Sequence, residues 1–219
     1  MITESDEHHD ILAGDFKDTP HEDTRKFMLA MKWINENLKQ CEFTYILKTK
    51  DNIYHNMVSI TNWLEAKYEK ESKEDLYVGK LLRLDRPIRD TRDPLHVPET
   101  DYGDEFFPDL VHSPVYLFRN FTYYKLAEQM SAVTPIAMED AYIGLLARAA
   151  KVKPVHNDHF QLLGMTGNVC HHLRMFFISP VMPSEHLTVF KNVKRARTSG
   201  DCQGAQWVDG DGQHRYIDV

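Results

Sequence analysis

Residues able to do chemistry gather at a few places in this chain. Directly after the apolar run FTYIL, residues 48–56 read KTKDNIYHN, so Lys50, Asp51 and Asn52 form a polar cluster with His55 and Asn56 close behind. Ligands bind at strand ends in parallel sheets, which makes this cluster a binding-site candidate. One carboxylate between a cation and an amide is a poor metal site. Glu139 and Asp140 stand side by side in MEDAYIGLL. Acidic residues favour the positive end of a helix dipole, and a carboxylate at a helix start that faces a cleft is also well placed as a general base. Both readings stay open on the bare sequence. His156 and His159 (HNDH) and the CHH at 170–172 suggest zinc, but no second ligand pair has matching spacing, and a structural site needs four ligands. The DGDG at 209–212 lacks the other oxygens and the distal glutamate of a calcium loop, so it reads as a turn.

The bulk numbers bound what these residues can serve. The chain has 219 residues, 42% hydrophobic and 11% aromatic, enough to bury a core. A net charge of −7 argues against a nucleic-acid surface. The only cationic run, KNVKRAR at 191–197, reads as the end of a solvated helix. No window approaches about 18 apolar residues, and the opening residues are polar and acidic, so the chain as given reads without a membrane span or secretory signal. Cys41, Cys170 and Cys202 show no CxxC spacing, and an odd count leaves at least one unpaired within the chain. One glycosylation sequon, Asn120-Phe121-Thr122, matters only on a secretory route.

The elements that must position these residues alternate. Asp10–Phe16 reads as a strand running into a loop. A helix follows with Phe27, Met31, Ile34 and Leu38 on one stripe and Asp23 or Thr24 as its cap. CEFTYILKTK reads as a strand, and a helix from about Asn56 carries Met57, Ile60, Leu64 and Tyr68 on one face. LYVGKLL, PVYLF, KVKPVH and HLRMFFIS read as strands. TYYKLAEQMSAV, EDAYIGLLARAA and Pro183 to about Arg195 read as helices, and from Thr198 onward the composition suggests a loose tail. Residues 83–112 form a long proline-bearing irregular stretch, of a length that is usually functional. Strands alternating with helices imply an α/β sheet with helices on its faces. The sheet reads as though it begins in its middle, without the usual opening βαβ unit.

Taken in order, several segments resemble the β1,3-galactosyltransferase family, glycosyltransferase family 31. DILAGDFKDT, KFMLAMKWI and Cys41 before YILKT resemble its opening pattern, VGKLLRLDRPIRDTR its strand-plus-PIRD segment, and FFP…Y its acceptor-side loop. EDAYIG resembles its EDVYVG helix start, VKPVH follows at the expected distance, and CHHLRMFF with Pro183-Ser184-Glu185 resembles its final strand and helix. The likeness covers about residues 4 to 195. It implies an α/β GT-A nucleotide-sugar transferase fold, a twisted mixed sheet flanked by helices, over residues 1–197, with 198–219 as a tail and the first strands missing. It also implies a Golgi-lumenal, membrane-anchored inverting enzyme that moves a hexose from a UDP-sugar, with Mn²⁺, onto an acceptor glycan of a glycoprotein or glycolipid. No nucleic-acid partner is implied. Homo- or hetero-oligomers with related transferases fit the same picture. Asp140 would be the base, with Glu139 beside it, and Lys50, Asp51 and Asn52 would lie at the donor phosphates.

This sequence departs from the family at telling points. KTKDNIYHN stands where the family has KTDDDVFVN, so Lys50 and Asn52 replace two aspartates. The family's late metal-completing histidine corresponds to Ser179. Asn52 and Ser179 are thus degenerate metal positions. An ammonium at Lys50 could replace part of the metal's charge, or the side chain could simply point to water. The substrate loop reads Val111-His112-Ser113-Pro114-Val115 before Tyr116, where the family has glycines. The lysine-tryptophan pair after PIRD has become Pro94-Leu95. These changes leave a second expectation beside transfer, a silent relative kept as a glycan-binding or partner module. Whether Cys41 and Cys170, both at family cysteine positions, pair with each other is left open.

Overall fold

The computed structural model describes residues 6–17, 19, 22–39, 41–68, 73–160, 162, 164, 169–202, 206–208 and 214–216. The chain forms two compact units. Met1–Phe43, Arg83–Leu110 and Phe121–Val152 make the first, and Thr44–Leu82, Val111–Asn120 and Lys153–Val219 the second.

The second unit holds the sheet. Strands β1 (Tyr45–Lys48), β3 (Tyr77–Leu82), β4 (Leu110–Arg119) and β5 (Val155–His156) stand in the order β1-β4-β3-β5. β1 runs antiparallel to β4 and β3 parallel to β5, so the sheet is mixed. Side chains alternate between its faces. Val78, Val115 and Leu117 share a core with Ile60 and Leu64 of helix α2 (Met57–Lys67) and with Phe160, Phe176 and Phe177. On the opposite face Tyr77 stacks on Phe118 at 4.9 Å and meets Tyr116 edge-on at 6.2 Å.

Asn56 caps α2, accepting from the Ser59 N–H at 3.4 Å. Met57 was expected on the buried stripe, but it is exposed, and burial starts one turn later at Ile60. A short antiparallel pair joins β2 (Tyr54–His55) to β6 (Phe177–Ile178). Helices α5 (Val169–Arg174) and α6 (His186–Ser199) bury Leu173, Val189, Val193 and Ala196 in a further cluster. The Cys170–Cys202 disulfide ties these two helices together, and Cys41 is a free, exposed thiol. Strands β7 (Gln206–Val208) and β8 (His214–Tyr216) form an antiparallel pair.

In the first unit, α1 (Asp23–Asn37) buries Phe27 and Met31. Its cap is Glu22, which makes no side-chain cap bond, rather than Asp23 or Thr24. Asp23 instead pairs with Lys26 at 3.0 Å, and the buried Thr24 hydroxyl donates to the Ala137 carbonyl at 3.3 Å. Helices α3 (Asn120–Ala127, in the first unit from Phe121) and α4 (Glu139–Ala149) follow. Residues 83–109 form no strand, but 110–112, expected to end that irregular stretch, already belong to β4, and one residue of PIRD orders what precedes it. Arg89 donates to the carbonyls of Val97 at 2.6 Å, Tyr102 at 2.7 Å and Asp104 at 3.3 Å.

Three local expectations are corrected. Asp10–Phe16 is not a strand, because a strand persists only through a ladder and no described strand pairs with it. The first half of HLRMFFIS is helical, and only Phe177–Ile178, which β2 pairs, is extended. The tail expected from Thr198 begins as helix, since α6 runs to Ser199 and ends at Gly200 with φ 71°, where a residue without Cβ suits the left-handed turn. Beyond Cys202, all but β7 and β8 lies outside the described residues.

Candidate functional site

The KTKDNIYHN segment is the short connection from β1 to β2, with a turn at residues 51 and 52. Lys48 ends β1 opposite Tyr116 in the register, and its Nζ lies 5.0 Å from the centre of the Tyr116 ring. Lys50, Asp51 and Asn52 are all exposed. Thr49 Oγ1 meets His55 Nε2 at 2.6 Å, closing the turn over its own base. Burial, and secondarily His186, holds the His55 imidazole below its ordinary range.

Ser179 is brought to the same place as Asn52. The β2–β6 ladder pairs Tyr54 with Ile178, and just beyond it the Val181 N–H donates to the Asn52 carbonyl at 2.9 Å. The two degenerate positions are therefore neighbours at one ladder end. Together with Asp51 they offer one carboxylate, one amide and one hydroxyl, beside the cation of Lys50. A Mn²⁺ ion that must also hold a diphosphate is served by several carboxylates or an imidazole, so this donor set does not fit it. Among the described residues, no three His, Cys, Asp or Glu side chains form a group that could hold a metal.

The residues expected as a substrate loop are part of β4. Val115 and Tyr116 are buried in that strand, and Ser113 lies within it. On the β1 side the ladder covers only residues 116–119, so the missing N–H of Pro114 costs no bond on that edge. Pro114 and Val115 border a cavity of about 240 Å³ with Lys80, His112, Phe160 and Leu162.

Asp140 and Glu139 open α4 in the first unit. Glu139 is buried and Asp140 half-buried, with the Ala141 N–H donating to Asp140 Oδ1 at 2.9 Å. Residues Ala141–Ala147 are buried, which anchors the carboxylates on a rigid helix. Tyr142 is fully buried, its hydroxyl has no partner among the described residues, and burial pushes its pKa up to about 12. The same unit contains a cavity of about 890 Å³. Its walls come from the first turns of α1 (Glu22, Arg25), the stretch after PIRD (Asp93, His96, Asp101) and residues 135–137. The last of these lie just before α4, only a few residues from Asp140. Volume and lining suit a ligand of one or two sugar rings, with apolar surface from Phe16, Met28 and Ile136 interleaved with polar groups such as Glu22, Arg25 and Asp93.

The sequence model of the Galactosyltransferase family matches residues 1–158. The chain belongs to this family. It is 26% identical over 182 residues to mouse (Mus musculus) beta-1,3-galactosyltransferase 1, a match covering 83% of this chain and 55% of that protein. It is 28% identical over 173 residues to rat (Rattus norvegicus) lactosylceramide 1,3-N-acetyl-beta-D-glucosaminyltransferase, covering 78% and 44%. A third relative, mouse N-acetyllactosaminide beta-1,3-N-acetylglucosaminyltransferase 2, is 23% identical over 195 residues, covering 87% and 48%. The chain spans about half the length of the curated relatives it matches. The mixed α/β architecture agrees with the GT-A-like fold that the galactosyltransferase resemblance implies.

For a galactosyltransferase family member, the residue-level reading missed the cavity. Its sequence signals were the long irregular stretch at 83–112 and the pair Pro94-Leu95 within it, since residues between 91 and 101, Pro94 among them, line the wall. It also missed the network behind the KTKDN turn. The buried Asn56 donates to the carbonyls of His172 at 3.3 Å and Leu173 at 3.1 Å, while Arg197 donates to Asn56 Oδ1 at 2.7 Å and Ser59 Oγ at 3.3 Å. Nothing local marks such a contact across more than a hundred residues.

Proposed function

We propose that this chain is the transferase part of a UDP-sugar-dependent β1,3-hexosyltransferase. It would move galactose or an N-acetylhexosamine onto a glycan of a glycoprotein or glycolipid with inversion. The observation that carries the reading is Asp140, held in the first turn of a buried helix in the unit whose cavity is walled by residues 135–137. The relatives' names, which specify β1,3 transfer of galactose or N-acetylglucosamine, supply the linkage and donor class.

In this reading the cavity takes the acceptor sugar and Asp140 removes the proton from its attacking hydroxyl. The oxygen then bonds to the donor's anomeric carbon from the face opposite the phosphate, the anomeric C–O bond breaks, and UDP leaves with the electron pair. Lys50, Asp51 and Asn52 serve the donor diphosphate, with the Lys50 ammonium offsetting leaving-group charge. A divalent ion would supply that charge in the family, but no step here is assigned to one, because Asp51, Asn52 and Ser179 suit it poorly. The Cys170–Cys202 disulfide supports an oxidising compartment and hence the Golgi lumen. Among the described residues no helix is long and apolar enough to cross a membrane.

A glycan-binding module without turnover is less well supported, since the helix bearing the carboxylate and the cavity are both retained. The test is transfer from UDP-galactose and UDP-N-acetylglucosamine to lactose- and N-acetyllactosamine-terminated acceptors. Asp140→Asn should lower turnover at least about a hundredfold, while UDP binding by calorimetry stays unchanged. Equal turnover by that variant would overturn the assignment of the base.

A further inference from the structure

The cavity of the first unit carries more negative than positive charge, and that excess bears on which acceptors can enter. Among the described residues its wall holds three carboxylates, Glu22, Asp93 and Asp101, and one guanidinium, Arg25. Arg25 is committed within the wall, its Nη1 donating to Glu22 Oε2 at 3.1 Å. Arg92, next to Asp93 in the chain, turns to Asp90 instead, with Nη2 2.7 Å from Oδ2. Neither Asp93 nor Asp101 makes an ion pair among the described residues.

Both carboxylates are held through one oxygen, which leaves the other to a ligand. Asp93 Oδ1 accepts from the Leu95 N–H at 2.7 Å, and Asp101 Oδ1 accepts from the Thr100 hydroxyl at 3.1 Å. An ionised carboxylate only accepts hydrogen bonds. The hydroxyls of an uncharged sugar can donate to Oδ2 of each residue. A sulfate or carboxylate on the sugar has no proton to give and meets like charge. Apolar surface from Phe16, Met28 and Ile136 excludes part of the water that would otherwise screen the repulsion.

We propose, resting on the assignment of this cavity to the acceptor, that Asp93 and Asp101 restrict it to uncharged sugars. Acceptors bearing sulfate or carboxylate are excluded by the two uncompensated charges.

The test is NMR titration of the full chain with lactose and with 6′-sulfolactose, whose 3-hydroxyl stays free. UDP is present in every sample, and the pH is about 8, where histidine is uncharged. Lactose is expected to bind at least about tenfold more tightly at low salt. Raising the salt to about 1 M should narrow that ratio, because screening weakens repulsion and leaves a steric clash untouched. Asp93→Asn/Asp101→Asn, which keeps an oxygen to accept from Leu95 and Thr100, should bring the two affinities close to equality. Should that variant not fold, the salt dependence of the parent decides alone. A ratio that salt leaves unchanged, or that survives in the variant, would assign the exclusion to shape and overturn the proposal. Equal binding of both sugars by the parent would overturn it too, while keeping the cavity as an acceptor site. Binding of neither sugar would remove the acceptor site itself, and the charge selection with it.

Discussion

His55 and His172 are two imidazoles whose surroundings keep them neutral. Burial is the main cause for each, reinforced by a second imidazole nearby, His186 for His55 and His171 for His172. Both pKa values fall below the ordinary value of 6.5, so the unfolded chain binds more protons than the folded one in mildly acidic solution. Their contribution to stability is therefore present above pH 6.5 and is lost as pH falls from there through the folded values. Thermal melting should accordingly drop between about pH 7.5 and about pH 5.5, and the slope should flatten in a His55→Gln/His172→Gln variant. An unchanged slope would assign the acid sensitivity to other groups. His156, one of the histidines that suggested zinc, has both ring nitrogens engaged. Its Nδ1 accepts from the Leu81 N–H at 3.1 Å, which puts the proton on Nε2, 2.8 Å from Asp158 Oδ1. It clamps the β3–β5 edge and is not a ligand.

Helices α5 and α6 together make the element whose stability depends most on one bond. Cys170 lies in α5 and Cys202 just beyond α6, 32 residues apart, so the disulfide closes a loop containing β6 and the whole of α6. Removing a cross-link over a loop of that length costs about 3–4 kcal/mol in the chain-entropy account. Cys202→Ser should therefore lower the urea midpoint, and reductant should bring the parent down to the same value. If the parent unfolded at the same urea concentration with and without reductant, the bond would have no role in holding α6. The loss should also release Arg197 from Asn56, which caps α2 immediately after the KTKDN turn. The disulfide thus bears on the KTKDN turn through its supports.

At the scale of the molecule, the proposed base belongs to one compact unit and the donor-side residues to the other. Donor binding can therefore be measured separately from chemistry. Calorimetric titration should find UDP bound by the parent with an affinity that Mn²⁺ leaves unchanged. Asn52→Asp/Ser179→His, which restores carboxylate and imidazole at neighbouring positions on one ladder end, should make binding rise with Mn²⁺. Mn²⁺-dependent binding by the parent would show that one carboxylate suffices for the metal, and would remove the charge-replacing role from Lys50.

Those parts of the protein whose information is local could be read from the chain alone. Helix α4 and its Glu139–Asp140 start, α2 from about Asn56, the stripe of Phe27 and Met31 on α1, and strand β3 were all legible. Periodicity and capping involve neighbours three or four residues apart, and the order of motifs along the chain carried the family. Tertiary structure alone decided what depends on distant partners. It gave Cys170 to Cys202 and left Cys41 free. It denied Asp10–Phe16 a ladder and drew the expected loop at 111–116 into β4. It also set Asn52 beside Ser179 and opened the cavity near the start of α4. Strand pairing, disulfide choice and cavities arise when segments far apart in the chain bury surface against each other, and no spacing within a segment encodes which partner it will meet.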